Sequence, residues 1–439
     1  MKKVFFIEDT IENKISYYHL AFFLMALPFD YFYSELVLIS FGLHTFIHVK
    51  KEDWRNIFTK PVLILISLYL LNLVAILYSY NKQEGINIAI RQLGILLFPV
   101  LFAISHINFA KYKMQLLSIF GFSCTTTVIY LYLDALLTIR NFQMPLSSLF
   151  TANFMNHNFS LPIAIHATYL SVFIAFSIIS FLYLLLNGQV ARQKWLYIVA
   201  SLILFAGLLQ LSSRSVFISF LVAINLVFPF LLFKGKMRIQ FFVSTLIISA
   251  AVFFLIYNID SFKTRYVSEL KTDLTDKVKI IENTEPRIAR WEAIMELVKQ
   301  SPVIGYGNGA EIDLLKEKYF EKGLYISYLN EFNTHNEYLG IFLKTGAIGL
   351  LLFLFILYFG YTSAIKRRDL LLMSFMIIVT IVSLSENLLD LNKGIFFYGF
   401  FFSFLLMQNE IQATRISLIP FNCMKKEADE CPFRCGYHP

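Results

Sequence analysis

The sequence predicts an all-α, polytopic membrane protein with about 12 transmembrane helices and one large outer helical loop. Three observations predict it. The 439 residues are 57% hydrophobic and only 15% charged, where an ordinary soluble domain carries about 25% charged residues. Apolar runs near the ~20 residues that a bilayer crossing requires recur along most of the chain. The basic residues also fall into alternate connecting segments, as the positive-inside pattern demands.

In order, the apolar runs lie near 16–28, 34–48, 61–79, 87–104, 114–138, 162–186, 195–212, 215–233 and 239–258, then 338–361, 370–388 and 394–411. The first two are short. The expected organisation is therefore transmembrane helices over 1–258, a loop domain with amphipathic helices over 259–337, more transmembrane helices over 338–411, and a disordered tail over 412–439. No small-residue cleavage site follows a short apolar core near the N-terminus, so no removable signal peptide is expected. With the N-terminus inside, basic clusters such as Lys50 and Lys51, Lys234 to Arg238 and Lys366 to Arg368 all fall on the cytoplasmic side, whereas the short outer segments hold only Lys82, Arg140, Arg214 and Lys393. This places the 259–337 interval on the periplasmic side and both termini in the cytoplasm. The net charge of +8 follows from that placement and implies no nucleic-acid partner. Four cysteines are too few for a disulfide scaffold, and Cys431, Cys435 and His438 make a poor metal set at their spacing.

Arg91 is expected about one turn below the outer surface, either as a snorkelling anchor or as part of an anion site. The loop RNFQMPLSSLFTANFMNHNFS, rich in aromatic and amide side chains, could stack on sugars or dip into the membrane interface. After it, His166 and Tyr169 share one helix face. Arg214 caps a very tight turn between two apolar runs, where a guanidinium is costly unless it meets a headgroup, a carboxylate or a phosphate. The segment 260–285 mixes both charge signs and reads as a solvated face. A helix then follows Pro286, with an apolar stripe of Ile288, Trp291, Ile294, Met295 and Val298, and it carries Arg287 and Arg290 near Trp291. Gly305, Gly307 and Gly309 would let backbone N–H groups approach a ligand. His335, Asn336 and Glu337 stand at the start of the next apolar run. Lys344, about 13 Å further along that helix at 1.5 Å per residue, needs a partner. Glu386, Asn387 and Asp390 are the natural counterparts for outer arginines. No internal repeat is visible, which weighs against an inverted-repeat transporter.

Together, SSRS at a short outer turn, Arg287-x-x-x-Trp291 followed by SPVIGYGNG, and THNEYLGIFLKTGAIGL resemble the O-antigen ligase and polymerase superfamily of membrane glycosyltransferases. The resemblance is most specific over 284–350 and is supported by Arg214. It implies cofactor-free, metal-independent transfer of a glycan from an undecaprenyl-pyrophosphate donor to an acceptor, such as lipid A core or another glycan, at the outer face of the bacterial inner membrane. At the matching positions, it implies that Arg214, Arg287 and His335 bind the pyrophosphate and run the reaction; the IHATY stretch with His166 and Tyr169 is also seen in some members. The expected binding set adds Arg290 from helical spacing, and Arg91, Trp291, Gly305, Gly307 and Asn336. The chemistry fits these residue types: arginine forks neutralise a departing phosphate, and an imidazole accepts a hydroxyl proton near neutral pH. Ligase, polymerase and protein O-glycosylation activities all remain open within this class. A transporter or lipid flippase is the alternative outside it, and would require polar groups along the middle of the bilayer.

Overall fold

A computed structural model describes residues 6–29, 31–186, 194–273 and 285–407, and the described residues hold helices and turns but no strand. The cysteines and histidine of the 412–439 tail lie outside the described residues.

The helices are α1 (Ile11–Ala26), α2 (Tyr31–His48), α3 (Lys60–Ile76), α4 (Lys82–Arg91), α5 (Leu93–Ile104), α6 (Phe109–Asn141), α7 (Ala167–Leu186), α8 (Lys194–Leu211), α9 (Arg214–Leu232), α10 (Gly235–Tyr257), α11 (Arg287–Gln300), α12 (Glu311–Glu321), α13 (Glu337–Arg367), α14 (Leu370–Val382) and α15 (Asn392–Met407). Among the described residues, seven helical segments are long and apolar enough to cross a membrane: Lys82–Ile104, α6, α7, α8, α9, the Gly235–Phe254 part of α10, and α13. Three shorter apolar helices, α3, α14 and α15, accompany them. That is fewer long spans than the sequence suggests, and two reasons are visible. The run expected over 370–388 leaves the helix after Val382 to form a loop that ends at α15. The first two runs fall on α1, which has only 16 residues, and on α2, whose 18 residues include the polar Glu35, His44 and His48.

At the centre, α15 is buried at every position from Lys393 to Met407 and packs between α5 and α7. Phe397 meets Phe173, Phe176 and Phe375, while Phe400 meets Phe23, Phe98 and Phe102. Lipid tails are as apolar as these rings, so close packing rather than escape from water holds such a core. At the other extreme, only 6% of the apolar stretch of α10 is buried, which leaves that helix on the periphery.

A second, smaller core joins α11 and α12 to α13 through Ala293, Ile294, Leu297, Val298, Leu315, Tyr319 and Leu343. The α11 stripe is thus rotated from the expected one: Ile294 and Val298 are buried, but Ile288, Trp291 and Met295 are only half-buried.

One backbone break decides how these layers meet. Gly346 interrupts α13 with φ 63° and ψ −162°, which strips the neighbouring peptide groups of helical partners. The turn after α11 supplies replacements: the amides of Tyr306 and Gly307 donate to the carbonyls of Leu343 and Lys344, at 3.0 and 2.8 Å, and Ala347 donates to Pro302 at 2.9 Å. This close approach excludes a side chain at Gly305, whose Cβ would stand 2.5 Å from the Leu343 carbonyl oxygen, and at Gly307, whose Cβ would stand 2.3 Å from Ser79 Cα. Gly305 and Gly307 thus serve to dock this turn on its neighbours, Gly305 on α13 and Gly307 on the end of α3.

Candidate functional site

The tight turn between α8 and α9 is made by Ser212 in the left-handed region, φ 50°, and α9 begins at Arg214. The Arg214 Nη2 donates to Asp273 Oδ2 at 2.5 Å, and the same oxygen lies 3.6 Å from Arg287 Nε. Arg287, the first residue of α11, also donates through Nη1 to the Ser385 carbonyl at 2.9 Å. Next along that loop, Glu386 Oε2 lies 3.6 Å from His335 Nδ1. The two arginines and the histidine are thus joined in one continuous chain of contacts, Arg214 to Asp273 to Arg287 to Ser385 and Glu386 to His335. The carboxylates in that chain are residues the sequence marks weakly: Asp273 sits in a stretch of mixed charge, and Glu386 reads as a counter-charge for arginine.

Burial alone would raise the Glu386 carboxyl, but the facing His335 imidazole, with His166 and Arg287 nearby, brings it below the ordinary glutamate value. His166, just before α7, is pushed down to about 4, chiefly by desolvation. Its Nδ1 accepts from the Thr168 amide at 3.3 Å, and its ring lies 4.2 Å from that of His157.

His335 itself is held in a strained conformation, φ 43°, by bonds on both sides. Its amide donates to Asn333 Oδ1 at 3.0 Å. Before it, Thr334 donates from its amide to Glu311 Oε1 at 2.9 Å and accepts from Trp291 Nε1 through its carbonyl at 3.1 Å. After it, Asn336 caps α13 by accepting from the Leu339 amide, and its own amide donates to Asn387 Oδ1 at 2.9 Å. Trp291 and Asn336 therefore fix the histidine segment rather than standing free, and Tyr169 does the same for the facing loop through a 2.9 Å bond from its hydroxyl to the Asn387 carbonyl.

Two expected members stand apart from this chain of contacts. Arg290 is buried, with its guanidinium 5.2 Å from the centre of the Phe332 ring and its Nε without a hydrogen bond; desolvation presses its pKa below the usual arginine value. Arg91 pairs with Glu84 at 3.7 Å and donates to the Asp390 carbonyl at 3.2 Å. Within the cluster, Arg214 Nη1 and His335 Nδ1 are buried atoms without a hydrogen-bond partner. Donors in that state are what an anion or a hydroxyl requires.

The fold and site define a multi-helix membrane protein with cations collected at one end of its apolar helices. Residues 199–354 match the family described as O-antigen ligase, which supports the O-antigen ligase superfamily for this chain. That match points to an O-antigen ligase/polymerase-type membrane glycosyltransferase of bacterial membranes, acting between a lipid-linked glycan and an acceptor. The matched segment includes Arg214, Arg287 and His335, and it ends before Glu386. No curated protein matches the chain.

Proposed function

We propose that the protein moves a glycan from an undecaprenyl-pyrophosphate donor to an acceptor hydroxyl, without a metal ion, at the outer face of the bacterial inner membrane. In this reading about 12 helices cross the bilayer, both termini are cytoplasmic and the 259–337 loop is periplasmic. The observation that carries it is the chain of contacts from Arg214 through Asp273 and Arg287 to Glu386 and His335.

Arg214 and Arg287 grip the pyrophosphate. The carboxylate of Asp273 rests between them until the substrate anion takes its place. As the bond from the sugar's anomeric carbon to the phosphate oxygen breaks, the guanidinium forks stabilise the charge left on the departing pyrophosphate. Glu386 lies on the Nδ1 side of His335, so Nε2 is the nitrogen that removes the acceptor hydroxyl's proton while that oxygen bonds to the anomeric carbon. The acceptor is lipid A core, a growing glycan or a protein hydroxyl.

Purified protein in lipid nanodiscs, assayed with labelled lipid-linked donor, tests the roles. Arg214→Ala and His335→Ala proteins that insert and melt normally lose transfer, and full activity in either variant removes that residue from the mechanism. A deletion strain identifies the acceptor: long chains missing from core indicate a ligase, single repeats a polymerase, and unglycosylated proteins the third activity.

A further inference from the structure

Beside the cation cluster, a cavity of about 440 Å³ opens between the 152–158 segment and the helical run 260–269, within the usual ~300–1,000 Å³ range of small-molecule sites. Asn156, His157, Asn158, Asp260, Arg265 and Glu269 line it, over a buried Met155. Asn156 adopts φ 54° and is tied to the end of α8 by its amide, which donates to the Gln210 carbonyl at 3.1 Å. The cavity wall is thus anchored four residues before Arg214. The 4.2 Å contact of the His157 and His166 rings links the cavity to the groups around Glu386.

We propose that this cavity holds one saccharide ring by its hydroxyl groups. The inference rests on the glycosyltransferase reading above and adds where the sugar sits. Adjacent sugar hydroxyls donate and accept in pairs, and the wall offers both: carboxylate acceptors in Asp260 and Glu269, donors in Arg265, and amides that supply either. Arg265 is paired to Glu269, so the side chains lining the cavity carry a net negative charge with the histidines neutral. That balance turns a phosphate away toward Arg214 and Arg287, and suits an uncharged or amino sugar. Met155 gives a C–H face an apolar floor.

The ring belongs either to the donor or to the acceptor, and one experiment separates the two. The full-length protein in nanodiscs is probed by saturation-transfer NMR with glucose, N-acetylglucosamine and glucosamine. At least one probe binds, affinity falls about tenfold (~1.4 kcal/mol) or more in Ala152→Trp, which fills the cavity, and in Glu269→Gln, and it survives in Arg214→Ala. Tighter sugar binding on adding inorganic pyrophosphate assigns the ring to the donor; unchanged binding assigns it to the acceptor. Failure of all three probes, or affinity unchanged in both cavity variants, overturns the proposal. If wild type binds no sugar while Arg214→Ala still abolishes transfer, the subsite alone fails. If sugar binds but Arg214→Ala retains transfer, the pyrophosphate grip alone fails.

Discussion

Two groups of charged side chains meet at the same end of this bundle, and they are built differently. Around Lys344, which is 3% exposed, the ammonium lies 2.8 Å from Asp390 and 3.3 Å from Glu311. Asp390 is bonded again by Asn387 at 2.9 Å, and Glu337 accepts from the Leu389 amide at 2.8 Å. In the Arg214, Arg287 and His335 group the side chains are 14 to 26% exposed, and polar atoms remain unused. The first group holds α12, α13 and the 383–391 loop together. The second keeps buried, unbonded atoms on side chains that are themselves partly exposed, which is the arrangement suited to an incoming anion.

The comparison breaks most sharply at Lys344. Lys344→Met leaves three neighbouring carboxylates without their cation, and stranding one side of a buried ionic group costs about 3–5 kcal/mol. The expected result is loss of folded protein in detergent-resistant melting, with partial recovery when Asp390→Asn is added. By contrast, Arg214→Ala is expected to melt near the wild-type temperature while transfer falls by ~10²–10³. Equal melting losses in the two variants would erase the distinction between scaffold and site.

Much of this contrast was only half legible in the sequence. The apolar runs announced the helices because hydropathy is a local property, and the tight SSRS turn announced an arginine that needed a partner. That Lys344 required a counter-charge was also readable. Which carboxylate would answer was not, because Asp390 and Glu311 reach it from distant parts of the chain, and only packing brings them together. The same applies to Glu386 beside His335 and to Asp273 between the two arginines. Gly305 and Gly307 misled for a different reason. A positive φ marks a close backbone approach but does not say to what, and here the other backbone is α13 near its Gly346 break for Gly305 and the chain at Ala75 and Ser79, at the end of α3, for Gly307.

A smaller effect sharpens the proposed role of Asp273. Its carboxylate competes with the substrate for both guanidinium groups, so Asp273→Asn is expected to tighten inorganic pyrophosphate several-fold, within the ~0.2–1 kcal/mol typical of partly exposed ion pairs. Isothermal titration of the nanodisc-held protein measures this directly. Glu386→Gln is expected to act on rate instead, lowering turnover about 10-fold or more with little change in donor KM, because it leaves the imidazole present but badly oriented. A fall in affinity without a fall in turnover would show that Glu386 serves binding.

The least costly perturbation is pH. His166 has a folded pKa of about 4, below the ~6.5 of an unfolded histidine. Between those values the unfolded chain binds the proton and the folded chain does not, so stability falls as pH drops from ~6.5 toward 4 and gains no further loss from this group below that. The depressed Glu386 acts lower: its contribution is complete above the unfolded glutamate value of ~4.3 and is lost as pH falls through its folded value. Melting curves at stepped pH separate the two. His166→Asn should flatten the limb between ~6.5 and 4 and leave the more acidic limb in place, whereas Glu386→Gln should do the reverse. Identical pH profiles for wild type and His166→Asn would mean that His166 is solvated rather than buried against His157, which would loosen the wall shared by the saccharide cavity and the cation cluster.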